Sequence, residues 1–185
     1  MKTRWAALVT ALALLAAVPA SATSVLRLTE EQLFRDADLV VTGRVTATRS
    51  RNAEGAPAIV TEVDLRVDGR LKGACGDTIT ILVPGGQIGE RGLKIMGAPE
   101  FETGDRVLLA LDRDAKETLR VRGLFQGRFT LIDAADGSVR AVADPWRHAA
   151  ADLEKCDQAD AADCLGEKTV VLTLDRVREI LGASH

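Results

Sequence analysis

From Leu39 onward, apolar residues recur at every second position in one short run after another, and this period of two constrains the fold more than any other feature. The clearest run sets Ile59, Val63, Leu65 and Val67 against Glu62, Asp64, Arg66 and Asp68. Successive strand side chains point to opposite faces, so such a segment buries one face and wets the other. Leu39, Val41, Gly43, Val45 and Ala47 repeat the pattern with a glycine on the inward side, where a strand can bend as a small barrel requires. Further strands are predicted over 78–83, 106–111, 119–122, 127–132 and 139–142, the last two joined by a hairpin loop through Asp133, Asp136 and Gly137. Those two aspartates lack the alternating oxygen spacing of a calcium loop.

Helices are predicted at both ends of the strand series. Thr29 and Gln32 form a capping box that starts a short helix over 30–37. After a last strand over 168–172, Thr173 caps a helix whose Leu174, Val177, Ile180 and Leu181 share one face, with Gly182 as its stop. Short strands at roughly ten-residue spacing with helices at the ends predict a mainly β (α+β) domain, a small OB-like β-barrel. The Gly123-Leu124-Phe125-Gln126-Gly127-Arg128-Phe129 run reads as a strand with both phenylalanines on the core face.

The N-terminus carries a different signal. Lys2 and Arg4 precede an apolar run from Trp5 to Val18, and Ala20 and Ala22 follow Pro19, the layout of a secretory signal peptide over 1–22. The run is too short to anchor a spanning helix. Cleavage after Ala22 leaves one domain over 23–185, free of any membrane anchor, in the periplasm or outside the cell. With a net charge of −3 on 185 residues there is no basic field to attract nucleic acid.

Export permits a disulfide. Cys156 and Cys164 bracket a short polar segment and are the natural pair, which leaves Cys75 free or paired between molecules. Three scattered cysteines with His148 and His185 lack the paired spacing of zinc ligands, so no metal is expected. No cofactor motif occurs. Asp152, Asp157, Asp160 and Asp163 sit near helical spacing and read as a solvated acidic face.

Three segments together resemble a group of uncharacterised bacterial secreted proteins: Ala37-Asp38-Leu39-Val40-Val41-Thr42-Gly43-Arg44-Val45, the second strand running into Leu71-Lys72-Gly73, and Gly104-Asp105-Arg106-Val107-Leu108-Leu109-Ala110-Leu111. Through them they resemble, distantly, the netrin/TIMP-type OB-fold barrels. The resemblance spans about residues 29–132 and implies a barrel that binds another protein, an exported protease among the partners. In the inhibitors of that superfamily an N-terminal cysteine places its amine and carbonyl on the protease zinc. This chain has no cysteine before Cys75, so that mechanism does not carry over.

One segment calls for a functional account. Between strong strands, residues 84–99 hold five glycines and two prolines, a connection long enough to bind something or to contain its own short strand. It matches neither phosphate-cradling glycine pattern. Glycine lets backbone groups approach a partner closely, and apolar side chains in the same segment supply contact area. Gly85, Gly86, Ile88, Gly89, Leu93 and Met96 are therefore the candidate partner-binding residues. The competing reading has Leu93, Ile95 and Met96 packed under the barrel as a lid.

Catalysis has little support: no nucleophile elbow, HExxH helix or Ser-x-x-Lys occurs. The alternative function is a small hydrolase or metal-dependent enzyme centred on His148, with Asp144 and Asp133 converging from a distance. Sugar binding by ring stacking is disfavoured, since only Phe34, Phe101, Phe125, Phe129 and Trp146 lie beyond the signal segment. The expectation is an exported, non-enzymatic protein-binding module.

Overall fold

The structure is a computed structural model, and it describes residues 28–54, 58–143 and 170–182. The candidate disulfide, His148, Asp144 and the signal segment lie outside these residues.

Thr29 accepts from the Gln32 amide at 3.2 Å while the Gln32 side chain accepts from the Thr29 amide at 3.0 Å, which closes the capping box at the start of α1 (Glu30–Arg35). Two long strands follow, β1 (Leu39–Asn52) and β2 (Ile59–Lys72), then β3 (Thr78–Pro84). A small hairpin, β4 (Gly86–Ile88) and β5 (Arg91–Leu93), rises from the glycine-rich segment. The chain continues through β6 (Arg106–Arg113), β7 (Leu119–Val121), a 3-10 turn (Leu124–Gly127), β8 (Arg128–Asp133), β9 (Val139–Ala143), β10 (Val171–Thr173) and α2 (Leu174–Gly182).

Five strands close into a barrel in the order β1-β2-β3-β7-β6, with β6 returning to pair with β1. The parallel contact of β3 with β7, through Ile81 opposite Leu119, is the join; the other pairings are antiparallel. This is the five-stranded, OB-like barrel that the alternating segments predict. One edge of β6 is divided: residues 111–113 pair with β7 and close the barrel, while residues 107–109 pair with β8 and start an outer sheet, β8-β9-β10. The 3-10 turn hands the chain from β7 to β8 along that edge, and Gly123 and Leu124 at φ 62° and 60° make the corner. Phe125 therefore lies in the turn and not on a strand, which corrects its expected place beside Phe129 on a barrel-core face. The alternation was real in spacing, but two left-handed residues break it.

Two apolar cores result. Leu39, Val41, Val45, Val63, Leu65, Ile81, Leu109 and Leu111 fill the barrel. Val40, Leu108, Ala110 and Phe129 face the other way and meet Leu33 and Phe34 of α1 and Val177 and Ile180 of α2. Phe34 and Phe129 stack with ring centroids 5.6 Å apart. β1 and β6 are thus buried on both faces, which is why 107–111 reads as an unbroken apolar run and not as an alternation.

Candidate functional site

β1 outruns its partner. Its pairing with β6 ends at Arg44; the Val45 amide then donates to the Asp105 backbone carbonyl at 2.9 Å, and the Val45 carbonyl accepts from the Gly104 amide at 2.8 Å. From Ala47 to Asn52, β1 stays paired with β2 on one side, and among the described residues no strand pairs with its other edge. On its inner face this stretch of sheet borders a groove. Thr48 and Ser50 of β1, Thr61 and Val63 of β2 and Val83 of β3 form the floor of a groove of about 620 Å³. Its walls are Pro84 to Gln87, Gly92 to Ile95 and Ala98 to Glu102.

The glycine-rich segment is anchored by hydrogen bonds at several points. Gly85 donates to the Ile59 carbonyl at 2.9 Å, and the Thr61 hydroxyl donates to the Gly85 carbonyl at 2.8 Å. The Ser50 and Thr61 hydroxyls lie 3.0 Å apart, and Ser50 Oγ accepts from the Gln87 amide at 3.2 Å. Two hydroxyls on the floor thereby hold the β4–β5 hairpin over the sheet. At the far end the Phe125 amide donates to the Gly97 carbonyl at 3.0 Å, tying the segment to the 3-10 turn.

Of the six candidate contact residues, Gly85, Gly86 and Leu93 line the groove. Ile88 and Gly89 sit at the hairpin tip, Gly89 supplying the turn at φ 57°, and Met96 stands 88% exposed outside the lining. Leu93 and Ile95 are half-buried on the groove wall, so the apolar side chains of the segment divide between groove and solvent.

A residue that the periodicity did not single out shapes one wall. Arg128 is fully buried; its Nη2 donates to Asp105 Oδ2 at 2.9 Å, its Nη1 donates to Thr130 Oγ1 at 3.1 Å, and its guanidinium lies 5.0 Å from the centroid of the Phe101 ring. Asp105 also accepts from the Glu102 amide at 2.9 Å. A buried charge holds its place only when paired and hydrogen-bonded. The pair, formed across 23 residues, fixes the position at which Phe101 enters the groove.

Charge is arranged differently on the outer face of the same sheet. Arg49 pairs with Asp64 at 2.6 Å and Arg51 with Glu62 at 2.5 Å. The hydrogen bond from Thr80, at 2.8 Å, and then that from Arg49 hold the Asp64 carboxyl below its ordinary range. Asp133, a residue of the enzyme alternative, is ion-paired with Arg106 at 2.7 Å on the surface. Among the described residues no cluster of three His, Cys, Asp or Glu side chains could hold a metal ion, and no helix is long and apolar enough to cross a membrane. Cys75 is half-buried against the barrel core and has no disulfide partner among the described residues. No protein-family model and no curated protein matches the chain.

Proposed function

We propose that the protein is an exported, non-enzymatic module that binds another extracytoplasmic protein through the groove between the β1–β2 sheet and the 84–102 segment. The observation that carries this reading is the construction of the groove wall. A glycine-rich segment is pinned to the barrel by the Ser50 and Thr61 hydroxyls, yet it leaves Leu93 and Ile95 facing an open space and Met96 in solvent. A segment serving only to cap the core would bury these side chains; preorganised apolar groups beside an open groove reduce the ordering cost of docking. The netrin/TIMP resemblance makes an exported protease one partner to test. Lacking a cysteine before Cys75, the chain would engage it through the groove and not through a zinc-binding terminus.

The test is affinity capture from extracytoplasmic extract with the C-terminally tagged chain, beside a variant carrying Ile88→Ser, Leu93→Ser and Met96→Ser. A protein retained by the first and lost from the second, with matching circular dichroism spectra, is the expected result. Equal retention by both would remove the segment from the interface, and no retention by either would overturn the module reading.

A further inference from the structure

We infer that the partner is taken up as an added strand along the open edge of β1, residues 47–52, by an extended segment that alternates acidic and apolar residues. The inference rests on the groove being the docking site and names what enters it. Edge strands present unpaired N–H and C=O groups and accept a further strand readily, a mode in which main-chain hydrogen bonds give affinity and alternate side-chain pockets give specificity. The edge that no strand among the described residues pairs with runs directly on from the stretch of β1 that pairs with β6, at the point where the chain turns off through Gly104 into the groove wall. A strand entering there continues the line of β6.

Its side chains would alternate between two surroundings. On the inner face they would meet a mixed lining, in which Val63, Leu93, Ile95 and Phe101 supply apolar contacts beside the hydroxyls of Thr48 and Ser50. On the outer face they would stand beside Arg49 and Arg51, whose side chains are 59% and 51% exposed despite their ion pairs with Asp64 and Glu62. Exposed pairs of this kind hold their partners weakly, so both guanidiniums can also take an acidic cross-strand neighbour. The same charges argue against a second copy of the chain: antiparallel self-pairing centred on Ser50 would set Arg49 of each copy opposite Arg51 of the other, and like charges directly opposed are destabilising. The pattern selects a different protein with acidic residues on its outward positions.

The probe is a fluorescent octapeptide alternating glutamate and valine, titrated into the full chain by anisotropy. Two controls accompany it: the lysine–valine peptide, and the glutamate–valine peptide N-methylated at alternate backbone nitrogens. The glutamate peptide should bind roughly tenfold more tightly than the lysine peptide, and N-methylation of the edge-facing nitrogens should cost at least about tenfold by removing the ladder donors. The double variant Arg49→Glu with Arg51→Glu, which leaves the groove lining untouched, should reverse the preference between the two peptides. Amides of 47–52 should gain hydrogen-exchange protection with the glutamate peptide bound. N-methylated peptide binding as well as the parent, no peptide binding at millimolar concentration, or protection confined to 84–99 would each overturn strand addition. The capture experiment with the Ile88, Leu93 and Met96 variant reads the groove separately, so failure here with loss of partner there leaves the module reading standing.

Discussion

Gly86 carries more of the site than its size suggests. Its φ of +133° lies in a region that side chains rarely adopt, and a Cβ built on it would lie 2.3 Å from Thr61 Oγ1 and 2.4 Å from Ser50 Oγ. Those are the hydroxyls that hold the hairpin, so Gly86→Ala combines backbone strain with loss of the anchor and should cost about 2–3 kcal/mol. Chemical denaturation measures the cost, and proteolysis within 84–99 should quicken relative to the parent chain; an unchanged midpoint would show that the hairpin is not held this way. Gly43 is constrained by crowding instead: a Cβ there would lie 2.3 Å from the Arg66 carbonyl oxygen, close to the irregular register between Thr42 and Gly43. The glycine in that strand was legible in sequence as a bend, and its inward burial is as expected. Arg128 was not legible. A charged residue beside Phe129 looks like the wet side of a strand until Asp105 and Phe101, distant in sequence, are brought against it.

At the scale of elements, turn chemistry is where local sequence and measurable stability meet most directly. Asp114 follows the end of β6, and its Oδ1 accepts from the amides of Lys116 at 2.9 Å and Thr118 at 3.0 Å, while Oδ2 accepts from Arg120 Nε at 3.1 Å. The backbone bonds from Thr118 and Lys116 contribute most to lowering this carboxyl to about 2. Asp64, Asp133 and Asp136 are shifted in the same direction, by Thr80, Arg106 and Ser138 respectively as the largest causes. A carboxyl lowered by folding contributes stability that is complete above its unfolded value near 4 and is lost as pH falls toward its folded value. The melting temperature should therefore fall steadily between about pH 4 and about pH 2. Asp114→Asn, which keeps an acceptor for the two amides but cannot titrate, should flatten that fall; an identical pH profile in the variant would contradict the assignment. The same turn logic made the capping box at Thr29 and the Asp133–Gly137 loop readable in advance, because each depends on residues within a few positions. The β4–β5 hairpin was harder: three-residue strands containing glycine show no alternation, and their pairing draws support from Ser50 and Thr61, far away in sequence. β1 likewise extends to Asn52, beyond its apolar alternation, because its inward positions Thr48 and Ser50 face the groove and not the core.

Across the whole molecule, β1 and β6 do two jobs at once. Val41, Leu109 and Leu111 point into the barrel, while Val40, Leu108 and Ala110 point out under the helices, so each core loses a wall if either strand is lost. Arg35 Nε donating to the Ile180 carbonyl at 3.0 Å ties α1 to α2 across that outer core, and Lys72 Nζ donating to the Ala37 carbonyl at 2.6 Å ties β2 to the end of α1. Cores that share strands cannot melt separately, and unfolding should be a single transition. Leu109→Ala in the barrel and Phe34→Ala beneath the helices should each destabilise the chain by about 3–5 kcal/mol through lost burial and the cavity left behind. Both should shift the urea midpoint seen by circular dichroism while leaving the slope unchanged, since the area exposed on unfolding is set by the common unit. A biphasic curve in either variant, or protection from hydrogen exchange lost in the helices alone in Phe34→Ala, would show the outer layer unfolding independently. The groove would then sit on a barrel that holds its shape without α1 and α2. With a single transition, the outer layer stabilises the strand whose exposed end forms the proposed docking edge.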